Sequence, residues 1–159
     1  NLSGSDLISD QIIEEVIEVL STNKINPSQI EFEVTETAMM SDIGMASQNL
    51  LKLSALGHSI ALDDFGAGFC NFRYLKVLPL HYLKLDKTMV EGVASDERDL
   101  VILRGILAMA RALGLSVIAE GIESEAQRAA IQAEACDYYQ GFLRAQPMSE
   151  ADFAQLASS

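Results

Sequence analysis

The 159 residues carry 11 basic against 23 acidic side chains, a formal charge of −12, and 49% of them are hydrophobic. That is the size of one ordinary domain with ample material for a core, and no low-complexity stretch signals disorder. The acidic balance excludes a nucleic-acid-duplex surface, which needs a basic face, and no apolar run reaches the roughly 18 residues of a membrane span.

Segments then alternate in type along the chain. Residues 5–20, SDLISDQIIEEVIEVL, place Leu7, Ile8, Ile12, Ile13, Val16, Ile17 and Leu20 on one helical stripe. PSQIEFEVTE (27–36) reads as a strand, and GMASQNLLKLSALG (44–57) as a helix stopped by Gly57. HSIALDD (58–64) is a strand, CNFRYLKVL (70–78) a short helix ended before Pro79, and LHYLKLD (80–86) another strand. SDERDLVILRGILAMARALG (95–114) predicts a long helix with Ser95 as its cap and Gly114 as its stop. LSVIAEG (115–121) is a strand, ESEAQRAAIQAEA (123–135) a helix, and DYYQGFL (137–143) a last short strand. MSEADFAQLA (148–157) closes with Ser149 and Asp152 at capping-box spacing.

About five consecutive β–α units predict a parallel sheet with helices outside it. Two α/β architectures fit, an open doubly wound sheet and part of an eight-stranded (β/α) barrel. The polar strand ends decide between them: Glu33 and Glu36, Asp63 and Asp64, Lys84 and Asp86, Glu120, then Gln140. An open sheet gathers ligand groups at one switch point, whereas a ring contributed by every strand belongs to a barrel with its chemistry at the carboxyl end. A complete barrel needs about 250 residues, so the expectation is its later β/α units only.

Each of these residues has an ordinary structural explanation. Asp63 and Asp64 before Gly66 suit an Asx turn, Glu120 suits a helix N-terminus, Lys84 suits a half-exposed strand lysine paired with Asp86, and Gln140 suits a turn amide. Glu33 and Glu36 suit solvated positions. Their recurrence at equivalent ends of successive strands is what favours a site, because independent accidents would scatter. Adjacent carboxylates repel unless a cation sits beside them, and an all-oxygen donor set suits Mg²⁺ or Mn²⁺ rather than zinc. Two carboxylates, one able to bridge, suit the paired-ion arrangement for phosphodiester hydrolysis, and such ions would also let an acidic protein accept a phosphate.

The other candidates stay structural. His58 and His81 precede strands, at the wrong end for chemistry, and read as surface residues. Met39 and Met40 read as packing, and Cys70 lacks a basic partner to activate it. Cys70 and Cys136, far apart and without metal-ligand spacing or a secretory leader nearby, read as reduced thiols in a cytoplasmic protein.

NLS at the start, EFEVTE, DDFGAGF, YLKLD, VIAEGIE and DYYQGFLRAQPM, in that order, strongly resemble the EAL-domain phosphodiesterases, from Asn1 to about Leu156. The resemblance implies a modified TIM-like (β/α) barrel that hydrolyses cyclic di-GMP to linear pGpG with two Mg²⁺ or Mn²⁺ ions. It implies Asn1, Glu33 and Asp63 at one ion, Asp63 bridging to a second held also by Asp64, and Glu120 as a further metal-site carboxylate. Lys84 would hold and polarise the attacking water, Gln140 would support that water or the surrounding shell, and Glu36 would anchor the loop that begins at Asp64. Cyclic di-GMP is the implied small-molecule partner, and the family allows a homodimer and an upstream GGDEF or sensory domain. A non-catalytic cyclic di-GMP receptor on the same fold is the alternative; retention of Glu33, Asp63, Asp64, Lys84 and Glu120 favours the enzyme.

The sequence departs from the family at Ala67, Phe69, Cys70 and Asn71, where Thr, Tyr and two Ser are usual, and at Arg144 and Gln146 in the last motif. These changes bear on loop control and on the guanine-facing rim. The Glu-Ala-Leu tripeptide lies upstream of Asn1 in the family, so residues 1–159 read as a partial EAL domain without its first strands. An opened barrel exposes strand edges and an apolar interior. The 159 residues expressed alone are therefore expected to self-associate and to hydrolyse cyclic di-GMP poorly. A well-behaved, active monomer whose intact mass matches these residues alone would refute that expectation.

Overall fold

The computed structural model describes residues 1–39, 42–68 and 72–157, with Met39 described by its backbone only. Met40, Phe69, Cys70 and Asn71, and the expectations attached to them, lie outside the described residues. Five parallel strands form one sheet in the sequential order β1 (Glu31–Thr35), β2 (Ser59–Phe65), β3 (Tyr82–Leu85), β4 (Ser116–Ala119) and β5 (Tyr138–Tyr139). Sequential order with helical crossovers is the winding of a (β/α) barrel, and a doubly wound sheet would reverse its order part-way. Leu2 makes an isolated parallel bridge with Val34, outside β1.

The helices are α1 (Gly4–Leu7), α2 (Asp10–Thr22), α3 (Ile43–Ala55), α4 (Arg73–Val77), α5 (Glu97–Ala112), α6 (Glu125–Ala133) and α7 (Glu150–Ala157). The single stripe expected over residues 5–20 is split in two, because Ser3 and Ser9 each accept an N–H and so cap separate helices. The cap of α5 is Asp96 rather than Ser95: its carboxylate accepts the Arg98 N–H at 2.8 Å. Ser124 and Gln127 make a reciprocal capping box on α6, and Gly57 and Gly114 follow α3 and α5 with positive φ. No helix among the described residues is long and apolar enough to cross a membrane.

Strand alternation separates two environments. Phe32, Val34, Ile60, Leu62, Leu83, Leu85, Val117 and Ala119 point outward and are buried in one cluster with Leu50, Leu53, Leu103 and Leu107 of the helices. Each fully buried leucine of that layer is worth roughly 1.5–3 kcal/mol relative to exposure. The opposite face carries Glu33, Asp63 and Lys84, and below them Tyr82, whose ring meets that of Tyr138 edge-on at 6.2 Å. Helix burial on one face thus fixes the register that presents the polar groups on the other.

Two expectations need correction. His58 is buried, not at the surface, and packs edge-on against Phe32 with ring centroids 5.2 Å apart. Its place just before β2, under α3, encloses the imidazole in the apolar layer. The last strand is two residues long rather than the whole of 137–143; beyond Tyr139 the chain turns at Gly141, which lies against Ile122.

At Gly141 φ is +156°, and a Cβ there would stand 2.2 Å from the Ile122 carbonyl oxygen and 2.3 Å from its nitrogen. Backbone cannot retreat as a flexible side chain can. Gly141→Ala is therefore expected to destabilise the chain by about 2–4 kcal/mol, read as a fall in denaturation midpoint. An unchanged midpoint would refute the close approach.

Candidate metal and catalytic site

Parallel strands ending at one edge bring distant residues together. Glu33 lies on β1, Asp63 and Asp64 on β2, Lys84 on β3, Glu120 directly after β4, and Gln140 directly after β5. Lys84 is 6% exposed, and its ammonium lies 2.6 Å from Glu33 Oε1, 2.9 Å from Asp63 Oδ1 and 3.0 Å from Glu120 Oε1. This overturns the half-exposed lysine paired with Asp86. The Asp86 carboxylate instead accepts from the N–H and hydroxyl of Thr88, at 2.9 and 2.6 Å, and caps a short turn. Gln140 donates from Nε2 to Glu120 Oε1 at 2.7 Å, so that one oxygen is held by both the amide and the lysine.

Asp63 and Asp64 pose a geometric problem, since successive strand residues face opposite sides. The register of β2 against β3 runs from Leu62 opposite Leu83 to Phe65 opposite Leu85, which sets two residues, Asp63 and Asp64, against Lys84 alone. That is a β-bulge. Asp64 takes φ +55°, the left-handed conformation that aspartate tolerates better than bulkier residues, and Gly66 follows at φ +97°. As a result Asp63, Asp64 and Glu120 each offer an oxygen within 4.8 Å of the others. The bulge is not among the expectations from sequence, although the adjacent aspartates at a strand end are its signal.

Electrostatics follow from the geometry. Burial alone would lower the Lys84 ammonium, but its hydrogen bonds to Glu33, Asp63 and Glu120 outweigh this and hold it above the ordinary lysine range. Asp64 is raised above the usual carboxylate range by burial and then by Asp63 and Asp86. Glu120 is raised too, by burial, with Lys84 opposing. Formally, four carboxylates (Glu33, Asp63, Asp64, Glu120) face the single Lys84 ammonium, leaving three uncompensated negative charges. Hard oxygen donors, converging and short of positive charge, fit a divalent cation such as Mg²⁺ or Mn²⁺.

The other two expected residues, Glu36 and Asn1, are placed by β1 and by the segment that pairs with it. Glu36 is buried in the turn after β1. Asn1 is exposed; the next residue, Leu2, donates its N–H to the Glu33 carbonyl at 2.9 Å and bridges Val34, which sets Asn1 level with Glu33.

Removing the ammonium should expose the repulsion it masks. Lys84→Met is expected to lower the melting temperature of the metal-free chain by several degrees, because breaking a buried ion pair leaves the other charges unpaired. Millimolar Mg²⁺ or Mn²⁺ should restore more stability to the variant than it adds to the parent. A melting temperature unchanged in metal-free buffer would show that Lys84 does not neutralise the cluster.

The family model for the EAL domain matches residues 1–147. The chain is 35% identical to the cyclic di-GMP phosphodiesterase RocR of Pseudomonas aeruginosa, over 99% of its own length and 40% of that protein's. It is 37% identical to MucR of the same organism, a bifunctional diguanylate cyclase/cyclic di-GMP phosphodiesterase, over 93% of its own length and 22% of that protein's. It thus spans less than half of either relative. Among solved structures, the EAL domain of Mycobacterium smegmatis DcpA superposes with TM-score 0.92 at 32% identity, covering 99% of this chain and 71% of that one. The phosphodiesterase of MucR in complex with c-di-GMP superposes with TM-score 0.86 at 36% identity, covering 96% of this chain and 62% of that one. The parallel sheet wound in barrel order, the ring of polar strand ends and the match across residues 1–147 agree, and the chain belongs to the EAL domain family.

Proposed function

We propose that this chain carries the catalytic strand ends of a metal-dependent phosphodiesterase that hydrolyses cyclic di-GMP to linear pGpG in bacterial second-messenger signalling. The observation that carries the reading is the Lys84 ammonium held by Glu33, Asp63 and Glu120, with Asp64 bulged onto the same cluster. A receptor needs shape and hydrogen bonds for its ligand; a dense carboxylate cluster short of counter-charge suits hydrolysis. The activity printed for RocR and MucR supports the substrate class.

In this reading Asn1, Glu33 and Asp63 hold one Mg²⁺ or Mn²⁺, Asp63 and Asp64 hold a second, and Glu120 completes the carboxylate set. Bound divalent ions would neutralise phosphate charge and lower the pKa of a coordinated water. All three N–H donors of Lys84 Nζ are engaged by Glu33, Asp63 and Glu120 here; a carboxylate that turned to a bound ion would release one of them to the attacking water and so set its approach to phosphorus. Gln140 fixes Glu120 through Oε1, so that the carboxylate keeps one orientation during turnover. Glu36, buried after β1, anchors the loop that follows Asp64. We assign the reaction to the cytoplasm, with an upstream GGDEF or sensory domain as the source of control and a second EAL domain as dimer partner.

Two variants test the reading. Asp63→Asn should lose affinity for Mn²⁺ in calorimetric titration; affinity equal to the parent would remove Asp63 from the metal site. Lys84→Met should cut conversion of cyclic di-GMP to pGpG by about 10²-fold or more, followed by chromatography. Normal turnover would exclude Lys84 as the water-positioning group, and tight binding without hydrolysis by a whole EAL domain that carries these residues would identify a receptor instead.

A further inference from the structure

The shortest strand carries the group that orients Glu120. β5 has two residues, Tyr138 and Tyr139, which are 55% and 40% exposed, so burial specifies its register weakly. A slip of one residue would turn Gln140 away from Glu120, because side chains alternate in direction along a strand. The edge-on contact of Tyr138 with Tyr82 and the Ile122 N–H donated to the Gln140 carbonyl at 3.1 Å bear on the alignment of Ile118 with Tyr138 and Ala119 with Tyr139, and two further bonds fix its ends.

At the upper end, Gln140 donates its backbone N–H to the Ala119 carbonyl at 2.9 Å. At the lower end the acceptor is a side chain: the Val117 N–H donates to Asp137 Oδ2 at 2.8 Å. Asp137 also starts from a fixed base. Arg111 Nη2 donates to the carbonyls of Glu134 and Ala135 at 2.7 and 2.6 Å, and Arg104 grips the Glu134 carboxylate through two bonds of 2.8 and 2.7 Å. The connector from α6 to β5 is thereby tied to α5. From it, one carboxylate reaches the first rung of β4.

We infer that Asp137 is a positioning residue: its carboxylate, standing in for a backbone acceptor on Val117, fixes the register of β5 that keeps the Gln140 amide on Glu120. Its bearing on turnover rests on the site proposed above; its bearing on Gln140 does not. A carboxylate accepting a strand N–H is stronger than a neutral acceptor and cannot migrate along the ladder as a slipping backbone carbonyl can. Asn keeps an acceptor of the same reach at this position, and Ala removes it.

The test uses the full chain, metal-free, with the side-chain amide resonance of Gln140 assigned by its disappearance in Gln140→Ala. In the parent and in Asp137→Asn this resonance is expected away from the position of an exposed glutamine. In Asp137→Ala it should return to that position while the backbone amides of Leu83 and Leu85 keep theirs. A Gln140 resonance unmoved in Asp137→Ala overturns the inference, and so does its loss to the same degree in Asp137→Asn. Global unfolding of Asp137→Ala overturns it as well, since a register pin acts on β5 alone. With cyclic di-GMP, turnover should fall about tenfold in Asp137→Ala at unchanged KM, with no further fall in the double variant with Gln140→Ala. Additive losses in the double variant overturn it. Turnover is read with these residues set in a whole EAL domain; its absence there would refute the proposed function and leave the amide measurement to decide the role of Asp137.

Discussion

A lysine at 6% exposure is tolerable only if its charge is met on every side, and Lys84 meets three carboxylates within 3.0 Å. The converse also holds. Glu33, Asp63 and Glu120 could not converge on one point without a cation between them, since like charges a few ångströms apart drive protonation or separation. The ammonium and the acids are therefore mutually required. They come from four strands or strand ends, so the contact also ties the carboxyl edge of β1, β2, β3 and β4 into one polar layer. The apolar outer layer supplies most of the stabilisation, and the polar layer sets what the edge can do.

The β2 bulge is what brings a further carboxylate to this ion cluster and makes it a candidate for a cation. With regular pleating, Asp64 would point into the helix layer beside Leu62, where an unpaired carboxylate is costly. The extra residue opposite Lys84 and the left-handed φ of +55° turn it back to the cluster. Strain and repulsion are both concentrated in two adjacent residues. Such concentration is expected where function rather than stability chose the residues. The net charge of −12 sharpens the point, because any anion approaching this surface needs cations at the edge before it can bind.

Most of the architecture was legible because parallel strands and amphipathic helices leave opposite hydrophobic periods, and because polar residues recurred where successive strands ended. Glu33, Asp63, Lys84, Glu120 and Gln140 were visible for that reason and do come together. What one dimension concealed depended on register and depth. The sequence shows two aspartates, whereas the bulge is a relation between β2 and β3. The ordinary explanation for Lys84 was a pair with its near neighbour Asp86, but strand alternation and a long stem send it to residues 21, 36 and 51 positions away. His58 was expected at the surface because it precedes a strand, at the wrong end for chemistry; it is buried against Phe32, where one ring packs like any aromatic. Ser95 was expected to cap α5, and the cap is its neighbour Asp96, the side chain that accepts the Arg98 N–H.

The site is graded in rigidity from centre to edge. Leu62, Leu83 and Leu85 flank the central strands and are fully buried, so Asp63 and Lys84 stand on the best-packed part of the sheet. Glu120 stands one step further out, directly after β4, with its N–H bonded to the Leu85 carbonyl at 3.1 Å. Gln140 stands at the end of a strand two residues long with exposed side chains, and it reaches the cluster through Glu120 alone among the described contacts. Among the described residues, a disturbance of the Gln140 side chain therefore reaches the carboxylate cluster through the single oxygen Oε1 of Glu120. That oxygen faces the amide on one side and the Lys84 ammonium on the other, so any shift of Gln140 changes how much negative charge Lys84 must balance.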